Sequence, residues 1–374
     1  MSDEKAIDRS QTPTLTDESL DEARSLIGVD LRVRQWNHAA TRDAIWHYAY
    51  GIGDDNPLWC DLEYGKATRY GSVLAPPTFL DSCIMGQIAP RLRGIHWIYA
   101  GTEWHFLKPI YLNDEIFTKA KLVDAVWKSG GVVKRWIMQI GEVTFLDQKG
   151  DLIARALRCM ARVPRARAEG GMRYEKRKAH QYSPAELAAI ERDVDAEERR
   201  GSTPRYWEDV NVGDSLGHVV KGPLSITDMI CYYKGRGSPY LANEIAVRYR
   251  RRHPADAYVD PKTGAQGHPA RGHAEEGMAQ EAGMPGAYDL GSQRIAWVSH
   301  LVTNWMGDSG FLKRHDVSIR RPNIFGDTTW CRGTVTMKAI EEAEHIVECE
   351  VWAENQFHQR TAQGTSVVIL PSRR

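Results

Sequence analysis

The sequence predicts an α+β protein in which one unit, a helix followed by an antiparallel meander, is built twice. Three registers predict it. Ser225 to Gly237 lies over Thr41 to Gly53 at a constant offset of 184 (225 − 41 and 237 − 53), with both Gly-x-Gly turns aligned. Lys108-Pro109-x-x-x-Asn113-Asp114 returns as Arg321-Pro322-x-x-x-Gly326-Asp327. Trp59 and Pro77 are separated as His273 and Gly291 are, by 18 positions (77 − 59 and 291 − 273). Repetition at several independent registers marks a duplicated unit.

Composition bounds the function. The 374 residues carry 49 basic and 49 acidic side chains and are 42% apolar, as in a soluble globular protein of two domains or one duplicated unit. A net charge of zero gives no support for a nucleic-acid partner. Six cysteines without a C-x-x-C pair argue against a disulfide framework or zinc ribbon and suit a reducing compartment. Met1 to Ser19 is polar and acid-rich, lacks a signal peptide's apolar core, and no apolar run is long enough for a membrane span. The expectation is a cytoplasmic protein whose residues 1–29 form a flexible tail.

In the first unit, residues 30–163, Thr41 caps a helix that ends at Gly51 and delivers Asp54 to a loop. Asp54, Asn56 and Pro57 favour turns, and Pro76-Pro77 opens an apolar run, Thr78 to Ile84, with a proline suited to a first helical turn. Alternating runs Thr118 to Val126, Val132 to Phe145 and Leu152 to Val163 read as strands between turn residues. Residues 164–204 are a charged linker in which Ser183-Pro184-Ala185-Glu186 starts a solvated helix running to about Arg200. The second unit, 205–374, repeats the order with a helical run Ile295 to Met306 and strands Thr328 to Ile340, His345 to Ala353 and Gln363 to Leu370. It also carries an insertion at 238–272.

Gly53-Asp54-x-Asn56-Pro57-Leu58, with the acidic Asp61 following, resembles the G-D-x-N-P-x-H signature of MaoC-like (R)-specific enoyl-CoA hydratases and dehydratases. That resemblance implies a tandem (double) hotdog, antiparallel sheets wrapped around central helices, from about Leu31 to Pro371. It implies a catalytic aspartate and histidine, no cofactor, an acyl-CoA or acyl-carrier-protein thioester as substrate, and a homo-oligomer, at its simplest a homodimer. Asp54 and Asn56 match the signature, but Trp59 stands where the histidine belongs. His273 occupies the histidine position in the second unit, where Ser238 replaces the aspartate and Glu275 falls on the second acidic position. The resemblance also puts the oxyanion donor at the backbone N–H of Gly291, matched in the first unit by Pro77, which has none.

Hydration of an enoyl thioester needs a base for water, an acid for Cα and donors for the enolate oxygen. His273 suits proton transfer near neutrality. Its carboxylate partner is open between Glu275, Asp54 reaching across the units, and Asp256 or Asp260 of the insertion. Asn56, Arg251 and Arg252 are candidate substrate-binding residues, the arginines because a phosphate-bearing carrier needs such charges, although Arg248, Arg250, Arg251 and Arg252 also read as a solvated face. Asp54 and Asn56 also read as turn caps, and His273 as a structural histidine. His253, His268 and His273 do not have the spacing of a helical metal-ligand pair, and the Gly-x-Gly turns lack the third glycine of a dinucleotide site. The twelve tryptophans read as core and interface material. The expectation is a hydratase or dehydratase working at the second unit, with the first shaping the acyl tunnel. A non-catalytic thioester-binding protein or partner subunit is the competing class, and a thioesterase is disfavoured because Ile295 to Met306 contains no carboxylate.

Overall fold

A computed structural model describes residues 14–130, 135–164, 174, 176–253, 258–260, 263–267 and 269–374. In the first half, α1 (Asp17–Arg24) and a short β1 (Asp30–Leu31) precede α2 (Arg42–Gly51), α3 (Pro57–Cys60), α4 (Leu62–Ala67) and a 3-10 helix, Pro77–Cys83. Then come β2 (His96–Phe106), β3 (Phe117–Ser129), β4 (Arg135–Leu146) and β5 (Leu152–Val163). After α5 (Pro184–Asp195), the second half begins with β6 (Ser215–Lys221), α6 (Ile226–Arg236) and α7 (Asn243–Arg252). A small hairpin, β7 (Tyr258–Val259) and β8 (Gln266–Gly267), leads to the 3-10 helix Pro269–His273, α8 (Glu276–Glu281) and α9 (Gly291–Met306). The last four strands are β9 (Phe311–Ile319), β10 (Thr329–Glu341), β11 (Glu344–Asn355) and β12 (Arg360–Ile369).

Ten strands make one antiparallel sheet in the order β1-β3-β4-β5-β2-β9-β12-β11-β10-β6, so the fold is a double hotdog. The halves join where β2 pairs with β9, from Gly101 opposite Ser318 to His105 opposite Arg314. Every residue of α9 from Ser292 to Met306 is buried, as required of a helix enclosed by sheet and neighbouring helices. Its counterpart in the first half is shorter. The helix expected over Thr78 to Ile84 forms as a tight 3-10 helix, because Pro76-Pro77 and the extended Ile84 leave room for little more than two turns.

The two halves also cross through α2 and α6. A Cβ on Gly51 would lie 2.7 Å from the Cys231 carbonyl, and one on Gly235 would lie 2.4 Å from the His47 carbonyl. Gly51 and Gly235 are equivalent at the offset of 184, so each helix packs its glycine on the other's backbone. This reciprocity is what a pseudo-twofold axis produces.

The expected tail is corrected from residue 14 on by α1, and residues 1–13 of it lie outside the described residues. Thr16 and Ser19 form its capping box, and Leu20 and Ala23 are buried against Leu92, Ile95, Leu122, Ala125 and Ile137. Ser183 caps α5, with Glu186 closing the box. Among the described residues no helix is long and apolar enough to cross a membrane.

Candidate functional site

His273 ends its 3-10 helix, and its Nδ1 donates to the Tyr288 carbonyl at 3.1 Å. The imidazole also lies 4.2 Å, centroid to centroid, from the Tyr288 ring. With Nδ1 carrying the proton, Nε2 keeps its lone pair and is the basic atom. Burial pushes the His273 pKa down to about 4, opposed by the backbone bonds to Tyr288 and Asp289 and assisted by the Arg236 cation. The ring is therefore neutral at pH 7.

The loop after Tyr288 opens α9. Asp289 is buried and held by Arg294, with Nε to Oδ2 at 2.6 Å, and by Asn323 at 3.3 Å. Burial raises the Asp289 pKa to about 6 in spite of the Arg294 cation. Leu290 gives α9 no side-chain cap, so the first-turn amides of Gly291 and Ser292 have no acceptor among the described residues. The absence of a side chain at Gly291 is obligatory: a Cβ there would lie 2.6 Å from Cδ1 of Tyr99 on β2 of the other half.

Asp54 lies in a different cluster. Its Oδ1 accepts from the Asn56 amide at 3.0 Å and its Oδ2 from Trp59 Nε1 at 2.8 Å. His300 of α9 reaches it from the other half, with Nε2 3.4 Å from Oδ1. Lys221 donates to the Gly53 carbonyl at 2.7 Å and to His300 Nδ1 at 3.0 Å. That leaves the His300 proton on Nε2, facing Asp54 and the Asn304 amide at 3.1 Å. Asn304 Nδ2 is the atom nearest Nε2, and Asn304 Oδ1 is buried without a partner among the described residues. Burial raises the Asp54 pKa and lowers those of Lys221 and His300, the last with help from the Lys221 cation.

Among the described residues no carboxylate is hydrogen-bonded to His273. No hydrogen bond or ion pair among the described residues joins Asp54 to His273. Glu275 stands at the N-cap of α8 and is held by Arg271 at 2.6 Å, and Asp260 faces the same Arg271 at 3.5 Å. Asp256 and His268 lie outside the described residues. Asn56 caps α3 by accepting from the Leu58 amide at 3.0 Å. Arg251 and Arg252 sit exposed in the last turn of α7 and enter no ion pair among the described residues. His253 stacks on Tyr249, and no group of three metal-binding side chains occurs among the described residues.

A pocket with about 520 Å³ of empty space, open solvent included, lies at the first half's signature. Asn56, Trp59 and Pro77 line one side, and Thr303, Met306 and Phe311 of the second half line the other. Sequence reading passed over Tyr99, Asp81, Arg158, Tyr232 and Arg236 beside Gly291, and Lys221 and His300 beside Asp54. One signal was available: Asp81 is a lone carboxylate within an apolar run, and a carboxylate buried there demands a cationic partner.

Residues 25–156 match the family described as FAS1-like, dehydratase domain region. Over 121 residues the chain is 32% identical to the UPF0336 protein of Parafrankia sp., covering 30% of this chain and 76% of that relative. It is 28% identical over 137 residues to a UPF0336 protein of Streptomyces avermitilis, covering 34% of this chain and 86% of that one. Among solved structures, a MaoC-like dehydratase superposes with a TM-score of 0.63 at 17% identity, over 94% of this chain and 99% of the other. A conserved hypothetical protein of Mycobacterium tuberculosis with a double hotdog fold superposes with a TM-score of 0.51 at 12% identity, over 91% and 95% of the two chains. These structural likenesses concern the fold.

Proposed function

We propose, for a chain that belongs to the UPF0336 family over its first hotdog and has the double-hotdog fold of MaoC-like dehydratases, that it hydrates an enoyl thioester or dehydrates the 3-hydroxyacyl thioester at the second hotdog. The observation that carries this reading is a neutral His273 whose Nδ1 is fixed on the Tyr288 carbonyl of the loop that leads to the Gly291 amide, which has no acceptor among the described residues.

In the hydration direction, a water proton passes to His273 Nε2 as the water oxygen bonds to Cβ. The Cα=Cβ electron pair moves toward the thioester carbonyl, and the enolate oxygen is held by the Gly291 amide at the positive end of α9. The imidazolium then returns its proton to Cα and the carbonyl reforms. His273 serves as both base and acid, consistent with its having no carboxylate hydrogen-bonded to it among the described residues. A substrate thioester on coenzyme A carries phosphates, which the exposed Arg251 and Arg252 of α7, in no ion pair among the described residues, would attract.

The test is loss of the conjugated absorbance when the purified protein is given a panel of enoyl-CoA thioesters. A second reading, thioester binding without turnover, is favoured by one observation: the pocket lies at Trp59 and Pro77, which offer neither a base nor an amide. Saturable binding of an acyl-CoA with no absorbance change on any enoyl substrate would replace the first reading by the second.

A further inference from the structure

Behind the Gly291 amide lies a buried charged cluster to which both hotdogs contribute. Asp81, from the first half's 3-10 helix, receives Arg158 Nη1 of β5 at 2.5 Å and Arg236 Nε of α6 at 2.8 Å. Tyr232 of α6 donates to the same carboxylate at 3.3 Å and accepts from the Ser292 hydroxyl at 3.0 Å. Ser292 follows Gly291 in the first turn of α9. On the other side, the Arg158 guanidinium lies 5.4 Å from the Tyr99 ring centroid, and Tyr99 is the residue packed on Gly291. The contacts close a circuit: Gly291, Tyr99, Arg158, Asp81, Tyr232, Ser292.

Two features set this cluster apart from ordinary structural ion pairs. Asp81, Arg158 and Arg236 are 3%, 0% and 5% exposed, yet one carboxylate faces two guanidinium groups, leaving a net positive charge in the interior. In addition, Arg158 Nε has no hydrogen-bond partner among the described residues although fully buried. An uncompensated interior cation is destabilising in the resting protein and favourable to an anion that forms nearby.

We propose that Asp81, Arg158 and Tyr232 are positioning residues that fix the first turn of α9 and set a net positive charge behind it, so that the first hotdog, which has no donor of its own at Pro77, is needed for chemistry at Gly291. The inference rests on the proposed hydratase reading. It assigns the first hotdog an electrostatic part in the reaction, beyond shaping a pocket. Arg158 stabilises the enolate oxygen through the field it adds to the α9 amides, and Tyr232 ties that field to the helix through Ser292.

The test uses the full chain with Arg158→Gln, Arg158→Lys and Tyr232→Phe. Arg158→Gln is expected to lower kcat by about 10-fold to 100-fold with KM within about 3-fold, and Arg158→Lys to restore part of it, because the charge returns without the planar fork. Should Arg158→Gln fail to fold, Tyr232→Phe keeps the cluster's charge and packing and removes one hydroxyl. It is expected to lower kcat several-fold and to speed amide hydrogen exchange in the first turn of α9. Unchanged kcat in Tyr232→Phe, with unchanged exchange at residues 291–294, would overturn the proposal. So would an Arg158→Gln variant whose loss is recovered by counting folded molecules. If the parent turns over no enoyl thioester, the hydratase reading fails, and hydrogen exchange alone decides whether the cluster positions α9.

Discussion

At equivalent positions the two hotdogs carry opposite chemistry. The second has His273 and Gly291, an imidazole and a backbone N–H. The first has Trp59 and Pro77, an indole that donates to Asp54 and a ring nitrogen with no hydrogen. Asp54, the signature residue the first hotdog kept, is sealed with Trp59 and with His300 and Lys221 of the second. With Trp59 where the signature has a histidine, a carboxylate buried at 1% exposure needs donors, and it has them in Trp59 and Asn56 of its own half and in His300 from across the seam.

The sharpest way to break this contrast is His273→Ala. Loss of a positioned general acid and base is expected to reduce turnover by roughly 10² to 10⁴ fold, with unfolding by circular dichroism little changed. His105→Ala is the control, since His105 pairs with Glu103 at 2.9 Å on β2 and touches neither cluster. Full activity in the His273 variant would remove the catalytic assignment.

Gly291→Pro comes next. Removing one oxyanion donor typically lowers turnover by about 10² to 10³ fold. Proline also adds a Cβ, which meets Tyr99 at 2.6 Å, so Gly291→Ala has to be measured beside it. Alanine makes the same clash and keeps the amide. The proline variant should be worse than the alanine variant by at least about tenfold in kcat; equal losses would show that packing on Tyr99, and not the N–H, sets the rate.

Trp59→His tests the contrast from the other side. Restoring the histidine leaves Pro77 without a donor, so no second active site is expected by active-site titration with a bound acyl analogue. The variant should also lose about 2 kcal/mol of stability, because a large buried side chain and its 2.8 Å bond to Asp54 are removed. A second productive site in this variant would show that the amide difference does not silence the first hotdog.

The duplication was legible because it was written in spacing: glycine, proline and turn residues recur at fixed offsets wherever the backbone demands them. The equivalence of Gly51 and Gly235 was readable, though the reason for it, close crossing of α2 and α6, required coordinates. Strand β9 was missed because Lys313, Arg314, His315 and Asp316 break the apolar alternation. In the fold it is the seam strand, where Arg314 pairs with Glu103 across the halves and His315 is fully buried. The charged cluster was legible only at Asp81, whose place in an apolar run called for a cation without saying which one. Asp81, Arg158 and Arg236 lie far apart in sequence, and only the pseudo-twofold arrangement brings one carboxylate to two guanidinium groups.

The smallest effects are expected from pH, and they sharpen the contrast through protonation. His273, pushed down to about 4 by burial, is about 90% neutral at pH 5, so kcat/KM should be level from pH 5 to 8 and fall only near pH 4. A limb near 6.5 would mean that His273 is solvated and not held by Tyr288. The stability sign follows from the same shift. Between about 4 and the unfolded histidine value near 6.5 the unfolded chain binds more protons, so stability rises with pH and is lost as acid is added across that window. His315, buried against Ser366 and the Ile295 carbonyl and also pushed down to about 4, adds in the same direction, as does the lowered His300. Asp289, raised to about 6, opposes them: its folded carboxyl binds a proton that the unfolded one does not until near 4. The depressed histidines pull Tm down from pH 6.5 to 4.5 while Asp289 and the raised Asp54, Glu197, Asp308 and Asp316 act against them, so the histidine part is read by difference: Tm should fall less, or rise more, over that interval in His315→Gln than in the parent. A Tm that rises over that interval would mean that the carboxylates, and not the neutral histidines at the two sites, dominate the acid response.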